Sequence, residues 1–190
     1  MNSQITTTSS HTKQLVTMAL MTAVLCILAP LSIPIPVSPV PISLTNLVLY
    51  IGIYILGTHR LLGSYIVYLL LGICGLPVFS GFSGGLGKLA GPTGGYLAGF
   101  LFLILISGFF MSRSKGRFRL ALQAFGLILG SAAMYLFGTM WLCFQMHLSF
   151  ADGLFVGVIP YLPGDTVKIV LALIVGPLLQ KRLARFLIQQ

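Results

Sequence analysis

The sequence predicts an all-α integral membrane protein with six transmembrane helices. Of the 190 residues, 57% are hydrophobic and only 7% are charged, and the mean hydropathy is +1.02. Soluble domains carry about 25% charged residues, so most apolar side chains here must face lipid or one another. We expect one transmembrane substrate-binding domain over residues 14–190, preceded by a polar, disordered cytoplasmic segment over residues 1–13.

Six apolar segments, separated by proline, glycine and charged residues, mark the predicted spans. They cover residues 15–33, 44–57, 61–76, 93–111, 120–146 and 165–179. A helix needs about 20 residues to cross the hydrocarbon core, so the second, third and sixth segments are short. Short helices flanked by irregular backbone are tolerated at membrane depth where that backbone lines a cavity. We therefore expect a cavity on the side that carries the Pro-rich and Gly-rich loops.

The basic residues are unevenly divided between the two sides that six spans create. Nine of the eleven fall on the side of the two termini, and only Lys88 and Lys168 fall on the other. The nine are Lys13, Arg60, Arg113, Lys115, Arg117, Arg119, Lys181, Arg182 and Arg185. Because cytoplasmic loops are enriched in lysine and arginine, both termini are expected in the cytoplasm.

Several other classes of protein are disfavoured by the sequence. The net charge of +9 does not indicate a nucleic-acid partner, because the basic residues are scattered among apolar runs rather than gathered on a polar face. Three widely spaced cysteines fit neither a disulfide framework nor a C-x-x-C metal site. Gly87-Lys88 lacks the Ser or Thr of a nucleotide-binding P-loop. We therefore expect no metal, no cofactor and no ATPase activity.

A dense glycine cluster precedes the fourth segment. Ten of the 22 glycines lie between residues 72 and 99. Gly91, Gly94 and Gly95 are candidates for wrapping a ligand, since glycine permits close backbone approach and exposes its N–H groups. A helix that begins near Thr93 would also favour an anion at its N-terminus. The alternative is that these glycines only permit tight turns and helix packing.

Two charged residues at the start of the sixth segment are the strongest polar candidates. Asp165 and Lys168 are three residues apart, which places them on one helix face. Charge near the membrane is costly unless it is paired or functional. Asp165 could accept N–H donors and Lys168 could meet a carboxylate. The alternative is a structural ion pair that fixes the entry of the helix.

Lys88, Phe79 and Tyr96 flank the same predicted mouth. Lys88 supplies a second cation there, and the two aromatic side chains supply apolar surface. Aromatic residues at this depth also serve as interfacial anchors. Because Tyr96 adjoins the glycine cluster, it is the better ligand candidate of the two.

Ala19 and Ala23 form a small-xxx-small pair on the first segment. Such pairs let helices approach each other closely in lipid. The pair predicts either packing within this chain or docking of a partner helix.

Three motifs are more specific than any of these single features. They are PLSIPIPVSPVPISL, GLPVFSGFSGGLGKLAGPTGGYLAGF and PYLPGDTVK. Together they resemble the BioY family, the biotin-binding S components of energy-coupling factor (ECF) transporters, and the likeness covers nearly the whole chain after Lys13. The resemblance implies the six-helix S-component fold, a biotin pocket near the external surface and residence in the bacterial cell membrane.

The resemblance also implies partners. It implies docking through Ala19 and Ala23 onto an ECF transmembrane coupling protein, which is driven by two cytoplasmic ATPase subunits. The loaded S component would topple within the membrane. Asp165, Lys168 and Lys88 would meet the polar groups of biotin, although the end of biotin that meets Lys168 stays open. An S component for another vitamin is the nearest alternative.

One alternative belongs to a different class, the intramembrane serine proteases. Residues 81–85 match G-x-S-x-G around Ser83, but a nucleophilic serine needs a histidine base within reach. His11 and His59 fall on the predicted cytoplasmic side, opposite Ser83, and His147 ends the fifth segment. We therefore predict no enzymatic activity and no catalytic residue.

Overall fold

The computed structural model describes residues 3–36 and 38–188. Within them the chain forms eight α-helices, one two-stranded antiparallel hairpin and two short 3-10 turns. In chain order these are α1 (Ser3–Leu28), β1 (Ser32–Ile35), β2 (Ser38–Ser43), α2 (Thr45–Leu56), α3 (Thr58–Ile73), α4 (Leu86–Ala90), α5 (Gly94–Arg113), a 3-10 turn (Gly116–Phe118), α6 (Arg119–Met146), α7 (Phe150–Gly157), a 3-10 turn (Ile159–Tyr161) and α8 (Leu162–Ile188).

Three described stretches are long and apolar enough to cross a membrane. They are Gly94–Arg113, Gly116–Met146 and Phe150–Leu183. Thr12–Leu28, Thr45–Leu56 and Thr58–Ile73 are apolar but shorter. Large apolar side chains such as Phe144, which is 75% exposed, cover the outside of the bundle, as expected of a surface in contact with lipid. The mostly helical fold predicted from the sequence is confirmed.

Helix α1 begins at Ser3 and continues without a break into its apolar part. Extension of an existing helix adds one hydrogen bond per residue without a new nucleation step. The disorder expected over residues 1–13 stays a prediction.

The all-α expectation was wrong for the segment after α1, which forms the β1–β2 hairpin. Ser32 pairs with Ser43 and Ile33 with Ile42, and the register shifts before the Ile35–Ser38 pair. Proline cannot donate to a ladder and is confined to edge strands and irregular positions. Both strands of a two-stranded hairpin are edge strands, so they can accommodate the prolines of this segment.

Helices α5 and α6 pack closely because glycines line their interface. A side chain at Gly99 would meet the Met134 backbone, and one at Gly126 would meet the ring of Phe110. Small residues allow this approach where no hydrophobic effect drives association between helices. The α5–α6 pair, together with α2 and α8, forms the frame of the central cavity.

Candidate functional site

A cavity lies under the hairpin, between α2, α5, α6 and α8. The cavity has a volume of about 70 Å³ and opens to the outside. Its lining combines aromatic and apolar walls with a few polar groups. The lining residues are Val40, Pro41, Ile42, Ser43, Thr45, Asn46, Tyr68, Ser80, Thr93, Tyr96, Leu97, Phe100, Met134, Tyr135, Gly157, Tyr161, Asp165 and Lys168. This is the usual composition of a small-molecule site.

A buried ion pair forms the polar end of the cavity. The Lys168 Nζ lies 2.9 Å from Asp165 Oδ1, and the two residues are 8% and 7% exposed. Asn46 on α2 joins them: its Nδ2 donates to Asp165 Oδ1 at 2.6 Å, and its Oδ1 accepts from Lys168 Nζ at 3.0 Å. Neighbouring hydrogen bonds of this kind are what make a buried ion pair tolerable in a low dielectric.

The protein itself uses all three protons of the Lys168 ammonium. They go to Asp165 Oδ1, to Asn46 Oδ1 and to the Ser43 carbonyl at 2.7 Å. A lysine ammonium has three donors and no acceptor. Lys168 therefore neutralises Asp165 and ties α8 to the end of β2, and it has no proton left for a ligand.

Asp165 retains hydrogen-bonding capacity toward the cavity. Asp165 Oδ2 accepts from the hydroxyl of Tyr135 on α6, which leaves this oxygen able to accept a second bond. The Asn46 amide donates to Asp165, and the Asn46 side chain also hydrogen-bonds Tyr50 on the same helix. The open acceptor is therefore on Asp165, and it complements an N–H group of a ligand.

Two tyrosines hold the roof and side wall of the cavity. Tyr161 donates its hydroxyl proton to the Val40 carbonyl and is hydrogen-bonded to the Ser38 hydroxyl at 2.6 Å, so it fixes the hairpin above the cavity. Tyr96 donates to the Gly157 carbonyl at 3.0 Å and joins α5 to the end of α7. Both side chains are buried.

Of the residues predicted to bind substrate, the structure brings Asp165, Lys168 and Tyr96 to the cavity. Gly94 and Gly95 lie outside its lining. An added side chain would meet the Leu89 backbone at Gly94 and the Trp141 side chain at Gly95. Both glycines therefore pack the start of α5 against its neighbours.

Gly91, Phe79 and Lys88 also lie outside the lining. The Gly91 carbonyl accepts from Trp141 Nε1 at 2.9 Å, which fastens the loop before α5 to α6. Phe79 is fully buried, with its ring centroid 5.6 Å from that of Tyr68, a lining residue. Lys88 lies on α4, where burial lowers the pKa of its ammonium. Direct ligand contact by these residues stays a prediction.

The two predicted docking residues are exposed. Ala19 and Ala23 face outward on α1 and line a shallow groove between α1 and α3. Nearby, the Thr22 hydroxyl donates to the Ser64 carbonyl at 3.1 Å and holds the two helices together. Packing within this chain therefore does not require small residues at these two positions.

Ser83 has a structural hydrogen bond. Its hydroxyl donates to the Ser80 carbonyl at 2.9 Å, and its backbone forms a bridge with Phe79. The serine stabilises a turn of the Gly-rich loop.

Asn46, Tyr135 and Tyr161 were missed from the sequence. They contact partners 119, 30 and 123 residues away, so spacing along the chain gives no indication of these contacts. Asn46 did carry a usable signal, because it is the only asparagine in an apolar segment. A polar side chain within such a segment is a candidate functional residue.

A ligand cavity with a buried polar cluster, enclosed by apolar helices, defines a substrate-binding membrane protein. The chain belongs to the BioY family, whose model matches residues 1–185. Two bacterial relatives are each 34% identical to it. The biotin transporter BioY of Thermotoga maritima aligns over 89% of this chain and 96% of its own length, and that of Rhizobium etli over 87% and 91%.

An archaeal relative and a solved structure agree with this assignment. The probable biotin transporter BioY of Pyrococcus horikoshii is 34% identical over 78% of this chain and 85% of its own length. The crystal structure of an S-component for biotin from an ECF-type ABC transporter is 31% identical and superposes with a TM-score of 0.83. The match covers 91% of this chain and 93% of that one.

Proposed function

We propose that this chain is a biotin-binding S component of an ECF transporter and takes up biotin across the cell membrane. The observation that carries the proposal is the Asp165–Lys168–Asn46 cluster, buried at the cavity in a chain of the BioY family. The protein is a transport subunit and not an enzyme.

The chemistry of biotin matches the cavity. Biotin carries a ureido ring with two N–H donors and a carbonyl acceptor, an apolar thiophane ring with an aliphatic chain, and a carboxylate. Asp165 Oδ2 can accept a ureido N–H. Leu97, Phe100 and Met134 provide apolar wall for the remainder.

We propose that partner proteins supply the energy for biotin uptake. The exposed Ala19–Ala23 face of α1 docks onto an ECF transmembrane coupling protein, which two cytoplasmic ATPase subunits drive. Two small side chains allow a partner helix to approach α1 closely. The loaded S component then topples within the membrane.

The proposed topology has six spans and both termini in the cytoplasm of a bacterial cell. Three short apolar helices, Thr12–Leu28, Thr45–Leu56 and Thr58–Ile73, provide the spans beyond the three long ones. Single cysteines introduced at Lys115 and Lys181 into a chain lacking its native cysteines should resist an impermeant thiol reagent in whole cells. Labelling of either site would refute this orientation.

Calorimetric titration of the detergent-purified, biotin-free protein tests the substrate. We expect tight binding of one biotin, with no binding of riboflavin or thiamine. Tight binding of another vitamin would reassign the substrate within the S components. Absence of biotin binding by a well-folded sample would overturn the biotin proposal.

A further inference from the structure

The Thr93 hydroxyl is a buried polar group at the cavity with no hydrogen-bond partner in the described part of the chain. Thr93 immediately precedes α5, lines the cavity and is 7% exposed, and its Oγ1 is fully enclosed. A buried hydroxyl without a partner destabilises the folded protein. A native structure that retains one beside a ligand cavity indicates a partner that arrives with the ligand.

Helix capping does not occupy this hydroxyl. A threonine before a helix normally has extended backbone and accepts a hydrogen bond from the first turn. Thr93 instead has helical φ and ψ of −86° and −9° and makes no side-chain cap bond. Its backbone carbonyl already accepts from the N–H groups of Tyr96 and Leu97. The side chain is therefore left available to the cavity.

The N-terminus of α5 is also held in place. Trp141 Nε1 and the Gln145 amide, both on α6, donate to the carbonyls of Gly91 and Ala90 just before Thr93. The 20-residue helix α5 places the positive end of its dipole here. A hydroxyl donor at this point favours an anionic partner.

We propose that the Thr93 hydroxyl binds the carboxylate of the bound biotin at the N-terminus of α5. This inference rests on the proposed function. Lys168 is the other candidate partner for the carboxylate, but other groups of the protein already accept its three protons. The open acceptor on Asp165 Oδ2 suits a ureido N–H group instead. The ligand is thus oriented with its ureido ring at α8 and its carboxylate at α5.

Titrations of the full chain with biotin and with biotin methyl ester, which lacks the negative charge, test this orientation. Thr93→Val keeps the shape and removes the hydroxyl. A hydrogen bond to a charged group contributes enough that biotin affinity should fall by about 10- to 100-fold. The affinity for the ester should change by less than about threefold, the effect of a weak neutral hydrogen bond. Thr93→Ser should restore biotin affinity.

A stability measurement separates this role from a structural one. Without ligand, Thr93→Val should melt at or above the wild-type temperature, because it removes an unsatisfied buried hydroxyl. Ser107→Ala is the control: Ser107 is buried on α5, donates to the Gly126 carbonyl and lies outside the cavity lining, so biotin affinity should be unchanged.

Three results have distinct meanings. Wild-type biotin affinity in Thr93→Val would overturn the contact. Equal loss for biotin and its ester in Thr93→Val would overturn the assignment to the carboxylate. Failure of the wild-type protein to bind biotin would instead overturn the proposed function. If Thr93→Val does not fold, the same comparison is made with Thr93→Ala.

Discussion

The hydroxyl of Tyr135 on α6 donates a hydrogen bond to Asp165 Oδ2 on α8, and both side chains are buried. Asp165 therefore receives donors from three helices: α6 through Tyr135, α2 through Asn46 and its own α8 through Lys168. A carboxylate held on both oxygens cannot rotate. The orientation of its remaining lone pair toward the cavity is set before a ligand arrives.

Tyr135→Phe should weaken biotin binding because it removes one of these donors and frees the carboxylate to rotate. The expected loss is about 1 kcal/mol, the typical net contribution of one hydrogen bond, or roughly fivefold in Kd. Tyr54→Phe serves as the control, since the Tyr54 hydroxyl donates to Gln123 away from the cavity lining. Calorimetry on both variants makes the comparison, and equal affinities would contradict the positioning role.

Asp165→Asn and Lys168→Ala should each weaken biotin binding by about 1–3 kcal/mol, the range for leaving a buried partner unsatisfied. The chain has only one other acid, Asp152, which is exposed and accepts from the Ser149 hydroxyl at 2.6 Å. Asp152→Asn should therefore bind biotin like the wild type. Unchanged affinity in both cluster variants, with the protein folded, would reduce the ion pair to a structural role.

Tyr161→Phe should speed ligand release. The Tyr161 hydroxyl is bonded to Ser38 and to the Val40 carbonyl, and these bonds tie the hairpin over the cavity. Loss of about 1–2 kcal/mol of hydrogen bonding should raise the dissociation rate by roughly 5- to 30-fold. Stopped-flow displacement of a fluorescent biotin derivative measures this rate. A wild-type rate would show that the hairpin does not control release.

The sequence predicted the helices well because apolar length and its interruptions are local properties. Residues 44–57 and 120–146, for example, became α2 and α6 with small shifts at the ends. The hairpin was missed because two short strands leave no periodic apolar pattern, and their prolines indicated only the end of a helix. Helix α7 was missed because its eight residues lie in a connection between apolar segments.

The candidate site was predicted only in part, because sequence spacing reveals neighbours on one helix and not across helices. Asp165 and Lys168 are one turn apart and were found together. Asn46 and Tyr135 reach the same carboxylate from α2 and α6, and only the packing of those helices brings them there. The glycine cluster has the same limit: which neighbour each glycine faces is decided by tertiary contacts, so the sequence could not separate a packing role from a ligand role.

Gly94→Ala should destabilise the protein. A methyl group there would overlap the Leu89 backbone, which cannot move like a flexible side chain. Overpacking typically costs about 1–3 kcal/mol, and a lower melting temperature should reveal it. Gly87→Ala on the neighbouring short helix α4 is the matched control, because nothing lies within 4 Å of an added methyl group at Gly87. Equal melting temperatures, combined with weakened biotin binding in Gly94→Ala, would favour a direct ligand role for Gly94.

Ala19→Trp and Ala23→Trp should prevent assembly with the coupling protein and leave biotin binding intact. Both alanines face outward beside the α1–α3 groove, far from the polar cluster in the sequence and absent from the cavity lining. A tryptophan on a small-xxx-small face holds a partner helix away from the backbone of α1. Co-purification with a tagged coupling protein measures assembly, and calorimetry measures binding.

The control for this docking face must place the same bulk elsewhere on the lipid-exposed surface. Ala132→Trp on α6 does so, because Ala132 is exposed and lies on another helix. This variant should both assemble and bind biotin. If Ala19→Trp and Ala23→Trp co-purify with the coupling protein as well as Ala132→Trp does, α1 is not the docking helix. If they lose biotin binding too, the tryptophan has disturbed the α1–α3 packing, and the alanine face has a structural role.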